Sequence, residues 1–304
     1  MAFGSGDDIW LTQSKDNGRT WGAPAKVGVL PKMALGRHRG PRVAIAGKTI
    51  LVSAIQSDLY AWRSTDGGRT WSKPVVVNDK PTAAREGLQA MAADAAGHVA
   101  MIWLDDREAP GKKLWGAFSN DAGATWSRNV MLYTSPERTI CECCHPSLVA
   151  LGNGEFAAMW RNAVGGSRDF YVMRLRDGKP VSTAAKQGLG TWKLEACPMD
   201  GGGIALRNGE LLTAWRREKE VYLYEPGKPE TRLATGQDVS LAANAKGAYV
   251  AWTAGKTVEM KGPVSGAPER LSDDGAFPAL LSLPDGAVLA AWEENGAIAT
   301  RRIE

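Results

Sequence analysis

Short apolar strands recur along the whole chain in pairs, and the second strand of each pair ends in tryptophan or an equivalent residue. The first strands are predicted at Arg42–Ala46, Leu88–Ala93, Ser147–Leu151, Gly203–Leu206, Val239–Ala243 and Pro278–Leu283. The second strands are predicted at Ile50–Ile55, Val99–Trp103, Phe156–Trp160, Leu211–Trp215, Tyr249–Trp252 and Val288–Trp292. Turns rich in Gly, Asn or Asp separate the strands, and helical periodicity is absent. The pattern predicts an all-β protein built from six repeats.

A turn motif of the form S-x-D-x-G-x-T-W occurs three times, and its copies begin at Ser14, Ser64 and Ser119. The Asp and Ser side chains can bond backbone amides within a tight turn, and Gly supplies a positive φ. The tryptophan offers a large apolar surface to bury. We therefore interpret the aspartates of this motif as structural residues.

This motif resembles the Asp-box, or BNR repeat, of the sialidase-like β-propellers, a family in which the boxes lie on the bottom face, remote from the active site. The resemblance implies a β-propeller, and six strand pairs predict a six-bladed propeller formed as a single domain by residues 1–304. The chain begins with strands predicted at Asp8–Gln13 and Ala25–Val29 and ends with one at Ala297–Ile303. We expect the N- and C-terminal strands to complete one blade together, which would protect the sheet edges.

Composition narrows the classes of function. The net charge of +4 comes without a basic tract, so nucleic-acid binding is not expected, and no apolar run approaches the length of about 20 residues that a membrane span needs. Twelve tryptophans against five phenylalanines indicate a recurring packing role for Trp. Residues 1–6 lack the features of a signal peptide. Asp-box propellers are nevertheless mostly secreted, so we expect a monomer that is periplasmic or secreted.

Most of the cysteines lie in one short segment, in which Cys141, Cys143, Cys144 and His145 fall within five residues. The fourth cysteine, Cys197, follows about one repeat later, with Met199 close behind it. Both segments lead into predicted innermost strands, which crowd around a common axis. The sequence therefore predicts that the sulfur ligands converge on the top face of the propeller, and we expect a histidine close to them. The candidate metal ligands are Cys141, Cys143, Cys144, His145, Cys197, His38 and Met199.

Three interpretations of these thiols remain open. Thiolates, an imidazole and a thioether suit copper(I), with zinc as the alternative, although the C-x-C-C spacing differs from the paired cysteines of structural zinc sites. The cysteines can instead form one or two disulfides between neighbouring loops, so that the propeller is a stapled scaffold for a glycan or a protein. They can also be redox thiols, with Arg161 and His145 lowering a thiol pKa. A subset of bacterial sialidase-like proteins is similar to this chain in its C-x-C-C and C-P segments, but that similarity implies no activity.

The resemblance to sialidases also implies an alternative activity, that of an exo-sialidase-type glycoside hydrolase acting on acidic sugars. Arg39-Gly40-Pro41 matches the R-x-P motif of that family, two further arginines would clamp an acidic ligand, and an aspartate would act as general acid. The candidate catalytic residues are Arg39, Asp105, Arg161 and Arg216. No tyrosine follows Tyr249, and Phe277 stands on the last innermost strand where the family's nucleophile is expected. The expected ligand is thus a metal ion or a small acidic molecule on the top face.

Overall fold

Each of the six predicted strand pairs forms an antiparallel hairpin in the structure, a computed structural model that describes residues 1–304. The strands assemble in chain order into seven antiparallel sheets, and the structure contains no helix. Gly-, Asn- and Asp-rich turns separate the short strands. Each sheet is therefore a meander, because a tight turn lets a strand pair antiparallel with the next strand in the chain. No helix that is long and apolar enough to cross a lipid bilayer is therefore present.

The first three sheets occupy the N-terminal part of the chain. The first consists of β1 (Ala2–Ser5), β2 (Asp8–Leu11) and β3 (Ala25–Val29). The second consists of β4 (Arg42–Ala46), β5 (Thr49–Ile55), β6 (Leu59–Ser64) and β7 (Val75–Val76). The third consists of β8 (Gln89–Ala93), β9 (Val99–Asp105), β10 (Lys113–Ser119) and β11 (Val130–Tyr133).

The other four sheets continue the series. The fourth consists of β12 (Ser147–Gly152), β13 (Glu155–Arg161), β14 (Phe170–Arg176), β15 (Lys179–Pro180) and β16 (Ala185–Lys186), and both β15 and β16 pair with β14. The fifth consists of β17 (Gly202–Arg207), β18 (Glu210–Arg217), β19 (Glu220–Tyr224) and β20 (Thr231–Thr235). The sixth consists of β21 (Gln237–Asn244), β22 (Gly247–Ala254), β23 (Thr257–Lys261) and β24 (Glu269–Ser272). The seventh consists of β25 (Gly275–Ser282), β26 (Val288–Glu294) and β27 (Ala297–Ile303).

The fold is a β-propeller, but the predicted number of six blades is wrong, because the N-terminal residues form a seventh blade of their own. The prediction missed β1, a four-residue strand that carries no long apolar run. A two-residue turn at Gly6 and Asp7 folds β1 back onto β2, with Ser5 opposite Asp8 and Gly6 at a φ of 60°. A positive φ at the first turn residue matches the twist of the two strands, which explains the glycine.

The two ends of the chain meet through side chains. No strand of the first sheet pairs with a strand of the last. The indole Nε1 of Trp21 donates a hydrogen bond to Thr300 Oγ1 (3.2 Å), and Asn17 Nδ2 donates one to Asp285 Oδ2 (2.7 Å). These contacts hold the first and seventh sheets next to each other but do not establish the blade that the two termini were expected to share.

The core lies between neighbouring sheets, and the recurring tryptophans fill it. Trp103 on β9 packs against Ile55 and Leu59 of the second sheet, and Trp252 on β22 packs against Leu212 of the fifth. The five tryptophans at the ends of second strands, Trp103, Trp160, Trp215, Trp252 and Trp292, are between 0 and 6% exposed. Truncating a fully buried indole to alanine costs about 3 to 5 kcal/mol. Their spacing in the sequence thus reflects packing between blades.

The three Asp-boxes are closed by hydrogen bonds within their own turns. Ser14 Oγ donates to Asp16 Oδ1 (2.7 Å), and the backbone N–H and hydroxyl of Thr20 donate to the two oxygens of the same carboxylate (2.9 and 2.5 Å). The boxes of Asp66 and Asp121 repeat this pattern. The hydrogen bond from the threonine hydroxyl is the main reason that the pKa of Asp121 is lowered to about 2. Both oxygens of each carboxylate accept hydrogen bonds from within the turn, as expected of a structural residue.

Candidate functional site

Two groups of chemically active side chains lie at the end of the propeller where the innermost strands begin, which we call the top face. The first strands of successive sheets, from β4 to β25, contact each other in order around the axis. Residues that immediately precede or open these strands therefore come together even when they are far apart in the chain. The fold thus places loops from several blades in one small region.

An unusual backbone conformation recurs where the chain enters the innermost strands. His38 before β4, Met199 before β17, Asp238 in β21 and Phe277 in β25 all have a φ between 54 and 64°. The pairing register shifts between Gln237 and Ser240 and again between Ala276 and Ala279, around the last two of these residues. A bulge with a residue of positive φ bends a strand and redirects its side chain. At Asp238 and Phe277 we attribute the direction of the side chain to such a bulge.

The first group is the cysteine cluster, which consists of Cys141, Cys143, Cys144 and Cys197. Cys143 and Cys197 form a disulfide that joins the loop before β12 to the loop before β17, with the Cα atoms 6.2 Å apart. Cys141 and Cys144 are free thiols, both buried, with their sulfurs 3.1 Å apart. The sulfur of Cys141 also lies 3.9 Å from that of Cys143, and the side chain of Met199 packs against the cluster. The structure therefore brings all four cysteines together as a disulfide beside a pair of thiols.

The two free thiols differ in acidity. The hydrogen bond with Cys144, helped by the positive charge of Arg161, lowers the pKa of Cys141 to about 7 although the thiol is buried. Burial and the neighbouring thiol raise the pKa of Cys144 well above its ordinary value. Cys141 is thus the thiol of the pair whose thiolate is favoured near neutral pH, and the thiolate is the form that acts as a nucleophile or metal ligand.

The cysteine cluster is open to a small cavity of about 280 Å³. Its lining includes Cys141, Cys143 and Cys197, together with the charged residues Glu142, Arg168 and Glu195. This volume is sufficient for an ion or a small molecule but lies at the lower limit of the range for larger organic ligands. The cavity therefore gives small solutes a route to Cys141 and the disulfide, whereas Cys144 is not part of its lining.

The second group is the axial cluster, which consists of His38, His145, Asp200 and Asp238 and comes from four different sheet entrances. The ring nitrogen Nε2 of His38 lies 2.9 Å from Asp238 Oδ1, and the backbone N–H of Asp238 donates to Asp200 Oδ2 (3.3 Å). The imidazole centroids of His38 and His145 are 4.3 Å apart. A Cβ atom at Gly201 would lie 2.3 Å from the His145 ring, so glycine is required at that position.

Burial shifts the pKa values of two groups in this cluster, Asp200 and His145. Removal from water raises the pKa of Asp200, against the opposing effect of Arg216. Removal from water also lowers the pKa of His145 well below its ordinary value, and the nearby His38 acts in the same direction. Three polar atoms of the cluster, His145 Nδ1, Asp200 Oδ1 and Asp238 Oδ2, are buried without any hydrogen-bond partner. Buried polar atoms are nearly always satisfied in proteins, so these three call for an explanation.

Two predicted site arginines lie between the clusters, where their N–H groups bond backbone carbonyls. Arg161 is 1% exposed and donates to the carbonyl oxygens of Asp200 (3.2 Å), Arg168 (2.8 Å) and Arg216 (3.1 Å). Arg216 donates to the carbonyl oxygen of Pro198 (3.0 Å), and its Nε lies 3.1 Å from Asp200 Oδ2. Both guanidinium groups therefore hold the loops of the site in place.

The other two residues assigned to a hydrolase lie elsewhere on the top face. Arg39 donates through Nε to the carbonyl oxygen of Glu86 (2.7 Å). Asp105 is fully buried, where it accepts hydrogen bonds from Trp103 Nε1 (2.8 Å) and from Nε and Nη2 of Arg107 (2.9 and 2.8 Å). Their catalytic roles stay a prediction. In the structure, however, neither the proposed general acid Asp105 nor the proposed anion-binding Arg39 has a free side chain.

The candidate site residues taken from the sequence do not include Asp200 and Asp238. The signal was their position, because each stands just before or at the start of an innermost strand, as His38 and Phe277 do. Phe277 lies against the axial cluster, with its ring 5.4 Å from that of His38 in an edge-on arrangement. The predicted ligands His38 and His145 belong to the axial cluster, whereas the sulfur atoms of Cys141, Cys143 and Cys144 group separately.

Comparison with known proteins finds similarity to solved β-propeller structures. No family model matches the sequence, and no curated protein matches it. The solved structures that are similar include a sialidase of the Hadza microbiome (TM-score 0.55, 16% identity over 88% of this chain) and the K499G mutant of NanB sialidase from Streptococcus pneumoniae (TM-score 0.55, 10% identity over 91%). A third is Trypanosoma rangeli sialidase in complex with the inhibitor DANA (TM-score 0.54, 12% identity over 93%). The chain spans 65, 71 and 56% of the length of these three proteins, respectively. At these identities the likeness concerns the fold alone: the chain folds as a β-propeller similar to those of the sialidases, and three of its turns are Asp-boxes.

Proposed function

We propose that this propeller binds copper(I) on its top face through Cys141, Cys144 and Met199. The observation that carries the proposal is the pair of free, buried thiols, whose sulfurs are 3.1 Å apart with a thioether packed against them. Copper(I) is a soft ion that takes thiolate and thioether ligands, whereas structural zinc sites use four ligands. A set of two thiols and one thioether therefore fits copper(I) better than zinc.

The surroundings of the thiols support this assignment. Both cysteines are at most 3% exposed, so a bound ion would be shielded from water. The positive charge of Arg161 favours the thiolate form of Cys141, which is the form that ligates a metal. Bound copper(I) would supply a soft redox centre, and the loops that carry its ligands are held by the Cys143–Cys197 disulfide.

The disulfide also supports a location outside the cytoplasm. Disulfides persist in oxidising compartments such as the periplasm and the exterior, and they are rare where thiols are kept reduced. We propose that the protein works there as a monomer formed by one domain. Protein quenched with acid in its native cells should contain two free thiols per chain. Four free thiols would contradict export.

Copper(I) titration in the presence of ascorbate tests the binding proposal, because ascorbate maintains copper(I) without reducing the disulfide. The wild-type chain should bind one copper(I) ion against a chromogenic chelator. Cys141→Ser and Cys144→Ser should each abolish competition with the chelator, and Met199→Leu should weaken it about tenfold. The double variant Cys143→Ser/Cys197→Ser is the matched control, since it removes two cysteines but should retain the ion.

Two results would overturn this assignment. Copper(I) bound equally well by Cys141→Ser and Cys144→Ser would place the ion elsewhere. Binding that appears only after reduction of the disulfide, and that is lost in the double variant, would assign the site to Cys143 and Cys197 instead.

A second candidate function, thiol–disulfide exchange, is favoured by the 3.9 Å separation of the Cys141 and Cys143 sulfurs. The Cys141 thiolate would attack Cys143 Sγ, form a Cys141–Cys143 bond and release Cys197 as the thiolate, with no net oxidation. Alkylation followed by peptide mapping should then detect free Cys197 in the wild-type chain but not in Cys141→Ser. Free Cys197 that is absent from both would exclude exchange.

A further inference from the structure

We propose that the axial cluster is a second metal site, separate from the sulfur ligands, in which His38, Asp200 and Asp238 bind a divalent cation of the zinc(II) class. This goes beyond the proposed copper function and does not depend on it. One potential ligand atom from each of the three residues lies within 4.8 Å of the other two. Imidazole and carboxylate groups are the ligands that such an ion takes at oxygen- and nitrogen-rich sites.

The strongest evidence is that each carboxylate of the cluster has one unsatisfied oxygen. Asp200 is 1% exposed and Asp238 is 5% exposed, yet Oδ1 of the first and Oδ2 of the second have no hydrogen-bond partner. Asp200 Oδ2 is held by Arg216 and by the backbone N–H of Asp238, and Asp238 Oδ1 lies 2.9 Å from Nε2 of His38. Asp200 is therefore held on one side and bare on the other, as a preorganised ligand would be, while His38 and Asp238 already face each other as two ligands of one ion would.

A second His–Asp pair in the same molecule shows what a purely structural arrangement looks like. At the turn after β8, Asp94 Oδ1 accepts from the backbone N–H of Ala96 and His98 (both 3.0 Å), while Oδ2 accepts from Gly154 N (2.9 Å) and lies 2.8 Å from His98 Nδ1. Both oxygens of Asp94 are satisfied there. The pair of His38 and Asp238 differs because one oxygen of Asp238, and one of the neighbouring Asp200, has no hydrogen-bond partner.

The positive charges near the cluster do not occupy the bare atoms. The N–H groups of Arg161 are directed at three backbone carbonyls, and those of Arg42 at the carbonyls of His38, Gly40 and Pro41. Only Nε of Arg216 reaches a carboxylate of the cluster, on the engaged side of Asp200. The His145 ring lies next to that of His38 and its Nδ1 has no partner, which makes His145 the candidate for a fourth ligand.

The experiment uses cobalt(II) and zinc(II) as probes on the variant Cys141→Ser/Cys144→Ser, so that failure of the copper site and failure of this site remain distinguishable. We expect one cobalt(II) ion per chain, with visible bands of nitrogen and oxygen ligation and without the intense charge-transfer band of a thiolate. Zinc(II) should displace it. In this background Asp200→Asn, Asp238→Asn and His38→Gln should each weaken binding about 10- to 100-fold or more, since even residues behind the ligands have effects of that size.

The matched control is His98→Gln, which alters the satisfied His–Asp pair and should leave cobalt(II) binding unchanged. Thermal unfolding of each variant checks that it folds, and Asp→Asn preserves the shape of the side chain if His38→Gln does not. Absence of cobalt(II) and zinc(II) binding would overturn the proposal. So would binding that Asp200→Asn and Asp238→Asn leave unaffected, or a thiolate charge-transfer band in the absence of Cys141 and Cys144.

Discussion

His38 and Asp238 are 200 residues apart in the chain, and their side chains are 2.9 Å apart at the axis of the propeller. His38 precedes the innermost strand of the second sheet, and Asp238 opens that of the sixth. Contact between residues so distant in sequence follows from the circular arrangement, in which every innermost strand begins next to the same axis. The ring thus assembles on its top face a buried cluster that no local segment contains.

We expect Arg161 to stabilise the fold and not to bind a substrate. Arg161→Lys should lower the free energy of unfolding by about 2 to 3 kcal/mol, because an ammonium group cannot donate to three carbonyls in the geometry of a guanidinium. Urea unfolding followed by tryptophan fluorescence measures the change. The control is Arg174→Lys, since the side chain of Arg174 is 53% exposed. If Arg161→Lys is as stable as the wild-type chain, Arg161 has no structural role and is available to bind a ligand.

The Cys143–Cys197 disulfide closes a chain segment with a sequence separation of 54 residues. Removing it in Cys143→Ser/Cys197→Ser should lower the free energy of unfolding by about 2 to 4 kcal/mol. The reason is that the crosslink reduces the conformational entropy of the unfolded chain, and the double variant restores it. Chemical denaturation with and without dithiothreitol measures the effect. The reductant should destabilise the wild-type chain and leave the double variant unchanged. A wild-type chain that is insensitive to reductant would contradict the pairing.

The Asp-box of Asp121 should contribute to stability in a pH-dependent manner. Its pKa falls from the ordinary 3.8 to about 2 on folding, so the contribution is complete above about pH 4 and disappears as the pH falls through about 2. Asp121→Asn should therefore be less stable than the wild-type chain at neutral pH, and the difference should shrink on acidification across this range. Thermal unfolding between pH 7 and about pH 2 tests it. Asp177→Asn is the control, because its turn lacks the Ser and Thr partners.

The hydrolase alternative predicts the release of a fluorophore from a sialic-acid glycoside. We expect no release, because the side chains that would act are already engaged. Asp105 is held by Arg107 and Trp103, Arg161 donates to three backbone carbonyls, and Arg216 contacts the carbonyl of Pro198 and the side chains of Gln237 and Asp200. The assay is run at several pH values with the wild-type chain and with Arg39→Ala. Turnover that Arg39→Ala abolishes would establish the hydrolase and overturn this expectation.

The fold class, the Asp-boxes and the packing role of the tryptophans follow from the amino-acid sequence alone. These features depend on local physical chemistry: alternating apolar strands, turns closed by their own Asp, Ser and Thr side chains, and a large residue at the end of each second strand. The same reasoning placed the two cysteine segments before neighbouring innermost strands, and the structure does bring them together. It miscounted the blades because β1 is too short to produce a periodic signal.

The pairing of the cysteines and the identity of the side chains that reach the axis depend on the three-dimensional fold. Four cysteines permit three pairings, and the choice of Cys143 with Cys197 depends on the distance between two loops that no local rule fixes. The axial cluster depends on positive-φ residues at the entrances of separate blades, which turn His38 and Asp238 towards each other. That contact forms only when the blades are arranged around the axis, because no sequence pattern in either segment predicts it.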